Sequence, residues 1–147
     1  MKKRNCINEF KNDYFFLSNF FRLSSGLTLE HYYQAAKTNS LISKFKIMES
    51  SSPREAKRIG KTVSLIEDFE KKKARIMFKL VRAKFILYPK LARKLISTGN
   101  SKLVEGNYWH DNFWGNCTCN RIQCQKEGKN MLGTILMKVR KELEELL

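Results

Sequence analysis

Between Thr28 and Ile96 the chain is cut into helix-length segments, each fenced by its own start or stop residue. That punctuation constrains the fold more than any other feature. Thr28 precedes an apolar-periodic block and predicts an N-cap, opening a helix over Leu29 to Thr38. A second short helix is expected over Leu41 to Glu49. Ser52 and Pro53 stand as N-cap and first-turn proline of a third, which Gly60 ends. Ile66, Phe69, Met77, Leu80, Val81, Phe85 and Tyr88 broadly follow helical spacing, so the longest helix is expected from Leu65 to Tyr88. Pro89 breaks it and starts another through Ile96.

Outside this run the signals change. Ile7 to Phe21 is rich in aromatics without a helical period, and reads as an extended or irregular segment packed on a core. Ser24-Ser25-Gly26 and Thr98-Gly99-Asn100 read as turns. Ser101 to Lys129 is expected to be irregular, with a short strand at Leu103-Val104-Glu105. Asn130 then caps a last helix whose Leu132, Ile135, Leu136, Val139, Leu143 and Leu146 share one face. The reading is a mainly α fold, one multihelical domain over residues 1–147, with an irregular N-terminal segment and a loop region before the last helix. A chain of 147 residues is long enough to bury roughly two-thirds of the surface it exposes when unfolded.

Charge narrows the partners. The net charge of +15 predicts attraction to polyanions such as nucleic acid, nucleotides or an anionic membrane face. It fits a solubilising lysine-rich surface equally well, since charge reports attraction and not specificity. No stretch approaches the roughly 18 uninterrupted apolar residues of a membrane span, so no membrane is expected. The basic opening Met1-Lys2-Lys3-Arg4-Asn5 is followed by no apolar run, so no signal peptide is read and a cytoplasmic protein is expected.

In that compartment Cys6, Cys117, Cys119 and Cys124 are expected to be free thiols. The last three form C-x-C-x4-C, which invites a metal reading. Zinc sites prefer four ligands, often in paired C-x2-C elements. The nearest histidine is His110 and Cys6 is distant in sequence, so a polar loop carrying thiols is favoured over a structural metal. No metal and no cofactor are expected.

Two stretches carry chemistry. In Glu30-His31-Tyr32-Tyr33-Gln34-Ala35-Ala36-Lys37, helical spacing puts Glu30, Gln34 and Lys37 on one face. Glu30 falls in the first turn, where the helix dipole favours its charged form. The plain alternative is a solvated helix face. In Asp111-Asn112-Phe113-Trp114-Gly115, followed by Gly128 to Gly133, an acid and a large aromatic precede a helix start. That suits a flat base stacked on Trp114 and a phosphate at the amides opening the last helix. Trp114 closing the core, with Asp111 holding a turn, is the plain alternative. Cleavage of a ribosyl C–N bond would use such groups. A carboxylate steadies the cationic C1′ and an acid protonates the leaving base, as paired carboxylates do for O-glycosides. A lysine can instead attack C1′, provided its pKa falls well below about 10.4.

The order of these motifs resembles the NADAR (YbiA-like) family. It runs through Phe-x-Leu-Ser-Asn-Phe at Phe15 to Phe20, then Glu30 to Lys37, then Ser-Ser-Pro at Ser51 to Pro53. Arg-Ala-Lys-Phe at Arg82 to Phe85, Leu-Val-Glu at Leu103 to Glu105 and Asp-x-x-Trp-Gly at Asp111 to Gly115 follow. The closing match is Gly128 to Arg140. The resemblance implies a mainly helical N-glycosidase acting on ribosylated bases, with Glu30, Lys37 and Asp111 catalytic. It implies a Lys37 Schiff base with the ribose, and a pocket shaped by Asn19, His31, Trp114 and Asn130. Gln34 and Phe69 join these as expected substrate-binding residues. Phe69 stands where many members carry tryptophan, and it can still stack on a base but lacks the indole N–H.

Two substrate classes go with that family. The charge favours ADP-ribose on guanine, in nucleic acid or a nucleotide, as the substrate partner. Phosphoribosylated pyrimidine intermediates of riboflavin synthesis come second. A non-catalytic module binding nucleic acid through its basic surface is the alternative from another class.

Overall fold

The computed structural model describes residues 5–147, so the basic opening at Met1 to Arg4 lies outside the described residues. The fold is mainly α, with helices α1 (Leu29–Ala36), α2 (Leu41–Met48), α3 (Pro53–Gly60), α4 (Phe69–Leu87), α5 (Pro89–Ser97) and α6 (Met131–Leu146). Among the described residues four two-residue strands make two parallel pairs. In one, β1 (Cys6–Ile7) lies beside β2 (Lys102–Leu103), and in the other β3 (Gly106–Asn107) lies beside β4 (Asn116–Cys117). Among the described residues no helix is long and apolar enough to cross a membrane.

Helix starts follow local chemistry. Thr28, Ser40 and Ser52 are extended, and each side chain accepts the N–H three residues on. These bonds satisfy amides that the helix itself leaves without an acceptor. Pro53 and Pro89 occupy first-turn positions, where a missing N–H breaks no helical bond.

Some boundaries differ from the pattern. The long helix begins at Phe69 rather than Leu65. The Ile66 N–H donates to the Lys37 carbonyl at 2.8 Å, and Asp68 takes φ +56°, so the chain bends before the helix starts. The aromatic N-terminal segment holds a 3-10 helix over Asn12–Leu17, which buries Phe16 and Leu17. Its three-residue turn leaves no 3.6-residue period to read. The strand expected at Leu103 to Glu105 is shifted to Lys102–Leu103 by pairing with Cys6–Ile7. Leu146 is 71% exposed, because it lies in the last turn, past the buried stripe of α6 that ends at Leu143.

Internal contacts divide the chain into two units, Asn19–Leu80 and the described part of Met1–Ser18 with Val81–Leu147, and the boundary falls within α4. In the first unit α1, α2 and α3 pack together around buried Ala35, Ile47 and Ala56, with Met48, Ile59 and Val63 against them. Full burial of a side chain such as Ile47 contributes about 1.5–3 kcal/mol. Gly60 lies so close to α1 that a Cβ there would collide with the Gln34 carboxamide. In the second unit α6 packs on α5 and β2, over buried Leu95, Leu103, Leu132, Leu136 and Val139.

Candidate active site

The Asn19–Leu80 unit gathers Glu30, Gln34 and Lys37 as the helical spacing requires. Glu30 and Gln34 are both buried, and Gln34 Nε2 donates to Glu30 Oε1 at 2.6 Å. Gln34 Oε1 is also buried and has no hydrogen-bond partner among the described residues. Asn19 is tied to the same helix start, its carbonyl accepting the Glu30 N–H at 3.1 Å. Its side-chain N–H reaches Met77 Sδ at 3.4 Å, and its Oδ1 is a second buried acceptor with no partner among the described residues. Two such acceptors are costly to leave unmet, and a polar ligand donor would satisfy them.

Lys37 closes α1 as its C-cap, with its side chain half-buried. Its Nζ lies 5.4 Å from the Tyr33 ring centroid and 5.7 Å from that of Phe69. Those rings are themselves in contact, 6.2 Å apart and tilted by 46°. Burial is the main force lowering the Lys37 pKa from 10.5, with Lys57 and Lys73 pushing the same way, while Glu30 and Glu70 oppose. Phe69 is buried, so the structure places it beneath the amine and against Tyr33. Tyr33 did not stand out in the sequence, although its i, i+4 spacing to Lys37 was available.

His31 is fully buried and acts within the fold. Its Nε2 faces the Ser50 carbonyl at 3.1 Å, so Nε2 carries the hydrogen and Nδ1 accepts. Nδ1 lies 3.2 Å from the Thr28 N–H and 2.8 Å from its hydroxyl, completing a reciprocal cap. A histidine here takes the role usually held by glutamate or glutamine.

Asp111, Trp114 and Asn130 belong to the second unit. Asp111 Oδ1 accepts the N–H of Phe113 at 3.1 Å and of Trp114 at 2.9 Å, so the carboxylate builds the turn that carries the tryptophan. Trp114 is half-buried, edge-on to Phe113 at 4.7 Å. Buried Asn107 holds the same turn, donating to the Asp111 carbonyl at 2.8 Å and accepting its N–H at 3.1 Å. Nothing local in the sequence marks Asn107. Asn130 opens α6 in the left-handed region, φ +50°. Its side chain does not cap the helix. It donates to the Leu103 carbonyl at 2.8 Å and accepts the Glu105 N–H at 3.0 Å.

The phosphate site expected at the start of α6 is corrected. The N–H groups of Asn130, Met131 and Leu132 donate to the carbonyls of Gly115, Phe113 and Trp114. The Asp111–Gly115 loop therefore already fills the acceptor role that a phosphate would play there.

Lys84 is a further buried amine in this unit. It donates to the Phe16 carbonyl at 2.7 Å and the Ser18 carbonyl at 3.1 Å, and burial pushes its pKa down to about 7.

Comparison with known proteins identifies the relatives of the chain. The NADAR domain model matches residues 8–144. An N-glycosidase of Nostoc punctiforme is 38% identical over 127 residues, covering 82% of this chain and 76% of that protein. The riboflavin biosynthesis protein PYRR of Zea mays is 37% identical over 130 residues, 79% of this chain, and the chain spans 19% of the maize protein's length. The NMR structure of the Escherichia coli protein YbiA matches with a TM-score of 0.82 at 33% identity, over 99% of this chain and 90% of that one. These likenesses put the chain in a class of N-glycosyl hydrolases. The chain belongs to the NADAR family.

Proposed function

We propose that the chain removes ADP-ribose from guanine, in nucleic acid or in a nucleotide, by breaking the ribose C1′–N bond. The observation that carries this reading is Lys37: a half-buried amine with a lowered pKa, on the α1 face that holds the buried Glu30 carboxylate. Each unit of lowering raises the neutral fraction at pH 7 about tenfold. In the proposed step the Nζ lone pair bonds to C1′. The C1′–N bond breaks, its electrons stay on the base nitrogen, and the base leaves with a proton. Opening of the ribose ring gives an iminium between Lys37 and C1′. Water then adds to C1′, and Nζ leaves as the amine. Glu30 handles the protons of these steps, held by its bond from Gln34. For Asp111 the two hydrogen bonds it accepts from the Phe113 and Trp114 N–H groups favour positioning of the Trp114 turn over proton transfer.

The net charge of +15 supports a substrate bearing a pyrophosphate or a polynucleotide. A second reading takes phosphoribosylated pyrimidine intermediates of riboflavin synthesis as substrate, and the name of the maize relative favours it. The test is release of free ADP-ribose from a guanine-ADP-ribosylated oligonucleotide, by the native chain and by Lys37→Ala. Release by the native chain alone supports the first reading. Cleavage of the phosphoribosyl pyrimidine instead moves the case to the second. For an oligonucleotide substrate, KM should also climb steeply with salt, which a small metabolite would not require.

A further inference from the structure

Residues 108–130 hold few strong elements of their own: β4 and a three-residue 3-10 turn at Ile122–Cys124. Yet the four groups in this stretch best suited to a soft metal converge. The ligand atoms of His110, Cys117, Cys119 and Cys124 all lie within 4.8 Å of one another. His110 Nδ1 is 3.8 Å from Cys117 Sγ, 3.3 Å from Cys119 Sγ and 3.4 Å from Cys124 Sγ.

Hydrogen bonding does not account for that convergence. A neutral imidazole nitrogen offers one lone pair or one N–H, so Nδ1 serves one sulfur and not three. Tetrahedral coordination does account for it. With Zn–S near 2.3 Å and Zn–N near 2.0–2.1 Å, neighbouring N and S ligands stand about 3.6 Å apart. The observed spacings lie on both sides of that value. His110 takes φ +70°, a conformation few non-glycine residues adopt, and Asn107 and Asp111 are bonded around it.

We infer that His110, Cys117, Cys119 and Cys124 form a structural Zn²⁺ site. Three thiolates and one imidazole are the donor set of closed structural zinc sites. Four protein ligands leave no position for a reacting water, so this ion builds structure and takes no part in chemistry. Its surroundings supply the outer support such sites use. Asn112 Nδ2 donates to Cys124 Sγ at 3.3 Å, and Asn112 Oδ1 accepts the Cys117 N–H at 2.9 Å. Asn112 lies inside the Asp111–Gly115 turn. The ion thus ties the turn carrying Asp111 and Trp114 to the Asn116–Gln125 loop, in a stretch with little apolar core to do so. Spacing alone favoured a polar loop carrying thiols over a metal, because His110 and the thiols are brought together only by the β3–β4 pairing and by the left-handed turn at His110.

The test uses the whole chain, without a histidine tag. Purified under reducing conditions with zinc in the growth medium, it should carry about one zinc per chain by elemental analysis. Cys119→Ser and His110→Ala should lower that content to near zero, and Cys6→Ser should leave it unchanged. Independently of how the variants fold, the reduced, metal-stripped native chain should bind one Co²⁺. That complex should show thiolate-to-cobalt charge transfer and the intense visible bands of tetrahedral cobalt. A folded chain with four titratable thiols and no such cobalt spectrum overturns the inference. So does zinc retained in full by Cys119→Ser, or a disulfide among these three cysteines that persists when zinc and reductant are both present.

Discussion

Gln34 Nε2 donates a 2.6 Å hydrogen bond to Glu30 Oε1 across one turn of α1, with both side chains buried. Gly60 sets that geometry from α3, since a Cβ there would meet the Gln34 carboxamide. Gly60→Ala is expected to cost about 1–3 kcal/mol through overpacking, measured by urea unfolding. It should also lower kcat, because Gln34 is displaced from Glu30. Gln34→Leu should lower kcat in the same direction without the overpacking. A Gly60→Ala enzyme with native stability and turnover would show that this close approach sets nothing.

Lys37 gives the sharpest chemical prediction. If its neutral amine attacks C1′, Lys37→Ala and Lys37→Arg should both lose on the order of 10³-fold or more in kcat, because arginine keeps the charge and never offers a free amine pair. Borohydride added during turnover should reduce the iminium and leave the ribosyl mass on the peptide carrying Lys37. The sign with pH follows from the lowered pKa. The active form is unprotonated, so kcat should fall as pH drops through a value below 10.5. Substantial activity in Lys37→Arg would make Lys37 a cation that positions phosphate.

Lys84 makes a prediction about stability. In the folded chain burial holds its pKa down to about 7, against the ordinary 10.5. Between those values the unfolded chain binds the proton and the folded chain does not, so Lys84 makes stability rise with pH across that window. Its penalty is fully present below the folded value. Lys84→Met should flatten the rise in urea midpoint over the window. Lys37 acts in the same sense, so some slope should survive. An unchanged slope in Lys84→Met would mean the amine stays charged on its two carbonyl acceptors.

Asn130 joins two needs in one residue: a left-handed backbone at the start of α6 and a side chain bonded to Leu103 and Glu105. Asn130→Ala loses both hydrogen bonds and strains φ, which should cost about 2–4 kcal/mol by denaturant unfolding. Asn130→Gly relieves the backbone alone and should recover part of that loss. Equal losses in the two variants would mean the backbone conformation contributes nothing.

The starts of α1, α3 and α5 were readable because they are written in residues that act locally. Thr28, Ser52, Pro53 and Pro89 each act on their own turn, so no distant partner was needed to place them. The Glu30–Gln34–Lys37 face was readable for the same reason, since helical spacing alone aligns it. The 3-10 helix at Asn12–Leu17 and the late start of α4 were not, because one has no 3.6-residue period and the other depends on Ile66 bonding to Lys37.

Residue type and short-range spacing were enough to specify the helical class, the family and the Glu30–Gln34–Lys37 face of α1. The environment of each was decided by the tertiary structure. The pKa of Lys37 is lowered by burial, the Asn130 side chain turns from the helix to the backbone of Leu103 and Glu105, and His110 meets three thiols distributed over the following loop. Each of these depends on which segments pack together, and desolvation and convergence of that kind have no local signature in the order of residues.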